Sequence, residues 1–107
     1  MQVYSYKTAG GKDLIIDYIE NLPIKEQAEG YYIIKRLETE GPAAFKYLDT
    51  RQIKGKVWEI KFFQQNRIFY VLLDQYNVYL LHACKKQKGK TEKHEVEKAL
   101  SRAKEIL

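Results

Sequence analysis

The apolar positions keep a helical period up to about residue 40, switch to a two-residue period between residues 57 and 84, and return to a helical one after residue 91. Val3 to Lys7 is short and β-prone and is ended by Gly10-Gly11. From Asp13 to Leu22, the residues Leu14, Ile15, Tyr18, Ile19 and Leu22 recur three and four apart, the spacing of one helix face. Pro23 interrupts that pattern and is suited to open a second helix, because a first turn needs no N–H from it. This helix is expected to run to about Glu40 with Ala28, Tyr31, Ile34 and Leu37 turned inward, and Gly41-Pro42 is placed to stop it. Gly30 counts against helix there on propensity alone.

After a loop near Ala43 to Thr50 and a short strand at Gln52 to Lys54, Val57 to Gln64 alternates, with Trp58, Ile60 and Phe62 on one face and Glu59, Lys61 and Phe63 on the other. Gln65-Asn66 marks a hairpin turn. Arg67 to Leu73 is more continuously hydrophobic, which predicts a central strand, and Asp74 to Asn77 turns the chain into a third strand, Val78 to Cys84. Thr91 to Leu107 predicts an amphipathic helix with Thr91 as N-cap and a buried stripe of Val96, Ala99, Leu100, Ala103 and Leu107. The expected fold class is α+β: an N-terminal strand and two helices, then an antiparallel strand meander and a C-terminal helix, with the helices on one face of the sheet.

Length and composition narrow the setting. The 107 residues suffice for one domain, 1–107, and no apolar stretch approaches the roughly 18 residues that span a bilayer. The first residues carry no signal-peptide pattern, and a lone cysteine, Cys84, excludes an intramolecular disulfide; a reducing cytoplasm is the expectation. Two histidines and one cysteine at no ligand-like spacing argue against structural zinc. The net charge of +5 is unevenly placed: residues 1–50 hold six basic and eight acidic side chains, residues 51–107 thirteen basic and six acidic. A positive half of this kind attracts phosphate over about 8–10 Å, the screening length in physiological salt.

Within that half, Lys85, Lys86, Lys88 and Lys90 crowd six positions around Gly89, directly after a strand. They are candidate phosphate contacts, set against the plainer reading of a solvated loop. Lys61, on the strand face away from Ile60, and Arg67, at a strand start, are candidates for the same surface; Lys54 and Lys56 are placed to steer a polyanion. His94 lies one turn into the last helix, within reach of the basic loop. His82, assigned to the Leu80 face, reads as a hydrogen-bonded structural histidine, Glu59 as a partner for Lys61, Tyr70 as core, and Cys84 as a small buried residue without a base.

Several short motifs stand in a recognisable order: Ile53-Lys54-Gly55-Lys56 before Trp58-Glu59-Ile60-Lys61, then Arg67-Ile68-Phe69-Tyr70, then Leu81-His82, Lys86 and Lys90-Thr91, then a closing helix with Glu95. From about Asp13 to Leu107 this order resembles the RelE/HigB toxin superfamily, specifically its phage-derived HigB-like branch. Lys61 stands where arginine is common, Cys84 where phenylalanine is usual, and Glu92 where proline usually follows Lys-Thr. The resemblance implies a RelE-like fold and the toxin of a type II toxin–antitoxin pair. Its activity would be ribosome-dependent mRNA cleavage by attack of the ribose 2′-OH, with no metal or other cofactor. It implies Lys61, Arg67, Lys86 and Lys90 as catalytic residues and Lys54, Lys56, Lys85, Lys88 and His94 as RNA contacts. The implied partners are the ribosome, mRNA and a cognate antitoxin of helix-turn-helix type, with no membrane. Two other readings stay open: a non-catalytic RNA- or ribosome-binding module of the same fold, and a phage-derived protein-interaction domain.

Overall fold

A computed structural model describes residues 1–86 and 88–107; Gln87, inside the basic run, lies outside the described residues. The elements are β1 (Gln2–Ser5), α1 (Leu14–Glu20), α2 (Ile24–Glu40), a 3-10 turn (Gly41–Lys46), β2 (Asp49–Lys54), β3 (Val57–Phe62), β4 (Asn66–Asp74), β5 (Asn77–Lys85) and α3 (Gly89–Ile106). One five-stranded sheet has the order β1-β5-β4-β3-β2, so β4 is central, as its unbroken apolar run predicts. Strands β2 to β5 form an antiparallel meander, and β1 joins the outer side of β5 in parallel.

Local chemistry accounts for the boundaries. Asp13 caps α1 by accepting the N–H groups of Ile15 and Ile16, each at 3.0 Å. Pro23 is the N-cap of α2, and Gly41, at φ 67°, ends it. Helix α2 buries Gly30, Ile33 and Leu37, with Ile34 half-buried against the same core; of the residues expected inward, Leu37 and Ile34 meet the core while Ala28 and Tyr31 face water. The rotation follows from close packing. A Cβ at Gly30 would stand 3.0–3.2 Å from three carbons of Ile19, so glycine is what lets α1 and α2 approach.

The helices do not share one face of the sheet. Helices α1 and α2 cover one side, where Ile15, Ile19, Leu22, Ile33 and Leu37 pack on Ile60, Phe62, Ile68, Tyr70, Val78 and Leu80. Helix α3 covers the other, where Ala99 and Ala103 meet Val57, Phe69, Val71, Leu81 and Cys84. Both sides of β4 are therefore covered from Asn66 to Val71, which is the physical meaning of its continuous apolar run, while Leu72 and Leu73 at its end are exposed. Trp58, expected in the core beside Ile60, is 37% exposed, and Leu107 at the end of the expected α3 stripe is also exposed. Helix α3 starts at Gly89, two residues before the expected cap Thr91, with Lys88 as N-cap, whose side chain makes no capping bond among the described residues.

Candidate functional site

The α3 side of the sheet carries buried charge, whereas the sheet side under α1 and α2 is apolar apart from Tyr70 and Asn66. Arg67 lies on β4 opposite Lys61 of β3, but it does not face water: it is 1% exposed. Its Nε donates to Glu59 Oε2 at 2.6 Å, and an Nη donates to Glu92 of α3 at 2.5 Å. The guanidinium lies 4.7 Å from the centre of the Phe69 ring. Burial alone would lower its pKa; the bonds to the two carboxylates outweigh that and hold it above its ordinary value. Glu59 pairs with Arg67 and not with Lys61, because the two side chains bridge β3 and β4 diagonally. Arg51 of edge strand β2 comes within 3.1 Å of Glu59 Oε1, close enough for ion pairing but not aligned as a hydrogen bond. The other Nη of Arg67 is buried without a partner among the described residues.

A second polar cluster lies on the same side. A β-bulge shifts the β4–β5 register between Phe69 and Tyr70, so His82 pairs beside Phe69 and faces α3, opposite to its expected side with Leu80. His82 Nε2 meets Glu95 of α3 at 2.5 Å, and Arg102 donates to His82 Nδ1 at 3.1 Å and to the carbonyl of Leu81 at 3.0 Å. Since Arg102 can only donate, Nδ1 must accept and the ring proton sits on Nε2, facing the carboxylate. Burial pushes the His82 pKa down, with Arg102 and Lys98 acting in the same direction and Glu95 against them. Glu95 also lies beside Cys84, whose thiol is pushed up to about 12, first by burial and then by that carboxylate. Cys84 is thus an inert buried thiol at neutral pH.

His82, Cys84 and Glu95 bring their ligand-type atoms within 4.8 Å of one another, a grouping that chain spacing did not suggest. Arg102 opposes a cation there: metal binding through Nε2 would move the ring proton to Nδ1, against an N–H donor.

Lys61 is half-buried, and Lys85, Lys86, Lys88 and Lys90 are exposed. They share one end of the sheet. Lys85 pairs with Asn66 in register, and the Lys86 N–H donates to the Gln65 carbonyl at 2.7 Å, tying the basic run to the β3–β4 turn. Lys90 and His94 are four apart on α3 and share its exposed face. Among the described residues, none of these five lysines has an ion-pair partner. The first turn of α3, with no side-chain capping bond among the described residues, adds backbone N–H groups and partial positive charge at the same end.

Lys54 and Lys56 are elsewhere. They flank the β2–β3 turn at the opposite end of β3, about 16 Å from Lys61 by strand rise. With Lys104 they rim a groove of about 430 Å³ floored by Val57, Leu100, Ala103 and Leu107. Lys54 and Lys56, expected to steer a polyanion, thus form a basic surface separate from that of the other lysines. The residues that sequence reasoning missed are Glu92, Glu95 and Arg102. They continue the α3 stripe at three- and four-residue steps around Ala99, and that periodicity was the available signal.

Fold and site together define an α+β domain with a cationic sheet end backed by buried ion pairs. The model of the family described as phage derived protein Gp49-like matches residues 17–104. The chain belongs to this phage-derived Gp49-like family, and the match takes in α2, the whole β2–β5 meander and nearly all of α3. No curated protein is significantly similar to the chain. No helix among the described residues is long and apolar enough to cross a membrane.

Proposed function

We propose that this chain is the toxin of a type II toxin–antitoxin pair and cuts mRNA on the ribosome. The observation that carries the reading is the set of exposed lysines, unpaired among the described residues, at one sheet end, next to the N-terminus of α3. Membership of the phage-derived family and the resemblance to RelE/HigB toxins support it. In the proposed reaction the ribose 2′-OH attacks the adjacent phosphate, the 5′-oxygen leaves, and Lys61, Lys86 and Lys90 neutralise the charge that develops on the phosphoryl oxygens. Arg67 acts from below: it fixes Glu59 and Glu92, which set the position of β3 and α3 around the lysines. Lys85, Lys88 and His94 hold flanking RNA, and Lys54 and Lys56 contact RNA or ribosome from the far end. An antitoxin silences the chain by covering the lysines.

His82, with both ring nitrogens engaged, is not free to act as general base. That suits an enzyme that relies on the ribosome to bend the mRNA into reactive geometry. The same observation favours a second reading, a non-catalytic RNA-binding module. Induction of the chain alone, with primer extension on mRNA from a translation reaction, separates them: discrete ribosome-dependent cuts are expected for the enzyme, and binding without cuts for the module. The double variant Lys86→Ala/Lys90→Ala is expected to lower cleavage at least tenfold and relieve growth arrest while keeping its circular dichroism, since each charge-assisted phosphate contact contributes about 1.5–3 kcal/mol. Unchanged arrest by a folded double variant would remove these lysines from the mechanism.

A further inference from the structure

The β3–β4 turn contains a residue that its own geometry disfavours. Phe63 has φ 49° and Gln64 φ 64°, the left-handed region that asparagine and glycine occupy easily and a bulky aromatic does not. Burial offsets this only in part: Phe63 stays 47% exposed. Across from it on α2, Tyr32 is 48% exposed, with the Arg36 guanidinium 5.4 Å from its ring centre. The two rings line one groove of about 350 Å³, together with Lys25, Ala28 and Glu29. The turn is held in place from beneath. Buried Asn66 donates to Glu26 of α2 at 2.7 Å and accepts from Tyr18 of α1 at 2.6 Å. It is also tied sideways to the basic run through the Lys86–Gln65 bond.

We infer that the Phe63–Tyr32 groove takes an unstacked nucleobase of single-stranded RNA whose backbone runs over Lys61, Lys85 and Lys86. The inference rests on the proposed RNA-directed function and adds a base-contact subsite to it. Exposed rings beside a cationic track are what single-stranded nucleic acid needs, since each base can stack on a ring while lysines follow the phosphates. Lys25 and Glu29 in the lining offset each other's charge, so the groove itself offers phosphate no net attraction, and its two rings favour a base. The strained turn aims Phe63 outward, while the Asn66 bonds keep it there before RNA arrives.

The test uses the purified full chain and a short single-stranded RNA carrying 2-aminopurine, read by anisotropy and base fluorescence. Phe63→Ala is expected to weaken binding about 5- to 100-fold, the range of one lost base stack. Phe63→Trp is expected to bind within about threefold of the parent chain, with its indole emission quenched by RNA. Phe63→Gly should lose affinity like Phe63→Ala yet unfold at the same temperature as the parent or higher, because glycine accepts the turn geometry. Parent-level affinity in folded Phe63→Ala and Phe63→Gly, with Lys86→Ala/Lys90→Ala still weakened, would overturn the base subsite and leave the RNA reading standing. A parent chain that binds no RNA, free or on ribosomes, would overturn both.

Discussion

The two faces of the sheet are built on different physics. Under α1 and α2 the contact is nearly all hydrocarbon, isoleucine and leucine against isoleucine, phenylalanine and valine. Under α3 the closest helix residues are alanines, and the contact is completed by the Glu59–Arg67–Glu92 and His82–Glu95 pairs and by Arg102. Apolar packing is non-directional and tolerates small shifts. Buried ion pairs fix positions more strictly and penalise the loss of one member. The first face supplies stability; the second sets the register of β3, β4, β5 and α3 under the exposed lysines.

The largest expected effect breaks the charged face. Arg67→Met leaves Glu59 buried without its main cation and should cost about 3–5 kcal/mol in denaturant unfolding. Adding Glu59→Leu removes the stranded charge, so the double variant should recover most of that loss while still impairing the proposed cleavage, because α3 is no longer anchored through Glu92. A single variant that costs under about 1 kcal/mol would show that the pair is solvated and that the faces differ less than their geometry says.

A smaller effect tests the apolar face. Gly30→Ala gains up to about 1 kcal/mol in helix propensity but pushes a methyl against Ile19, and overpacking costs about 1–3 kcal/mol. The net expectation is a loss of about 1 kcal/mol, measured by thermal unfolding, with RNA affinity unchanged because the groove and lysines lie outside the α1–α2 contact. Combining Gly30→Ala with Ile19→Val, which removes one methyl from the crowded site, should return part of the loss.

These two faces were not equally legible. The alternation from Val57 to Phe62, the unbroken run on β4 and the helical spacing of Leu14 to Leu22 gave the element order and the central strand directly. The α3 face was harder to read because Glu59, Lys61 and Arg67 look like a water-facing row, and only the partners Glu92 and Arg51 from distant segments make that row partly internal. The β4 run itself pointed to two covered faces, since a one-sided sheet would alternate there. His82 was assigned to the wrong side because the bulge at Leu81 leaves no mark in the local pattern. The lysines of the Lys85–Lys90 run could be placed from sequence because they follow a strand end. Lys54 and Lys56 were read as steering charges, but their distance from the run follows from strand length, which a charge count does not contain.

Acid is expected to reach the charged face first. Burial holds His82 below its ordinary value of 6.5 in the folded chain, so the unfolded chain takes up the proton first as pH falls. Stability contributed by neutral His82 is therefore present above about pH 6.5 and is lost as pH drops from there through the folded value. Glu95 is also held low, the neighbouring His82 and Cys84 outweighing burial, so a second loss begins below about 4.5. In alkali both faces weaken: Cys84 on one and Tyr70 on the other are each pushed up to about 12 by burial, and their unfolded forms ionise first, from about 9 and 10. The denaturation midpoint should fall between pH 7 and 5 in the parent chain and stay nearly level over that interval in His82→Gln, while both lose stability above pH 9. A parent chain that gains stability between pH 7 and 5 would mean that the His82–Glu95 ion pair outweighs burial, making acid tighten α3 onto the sheet.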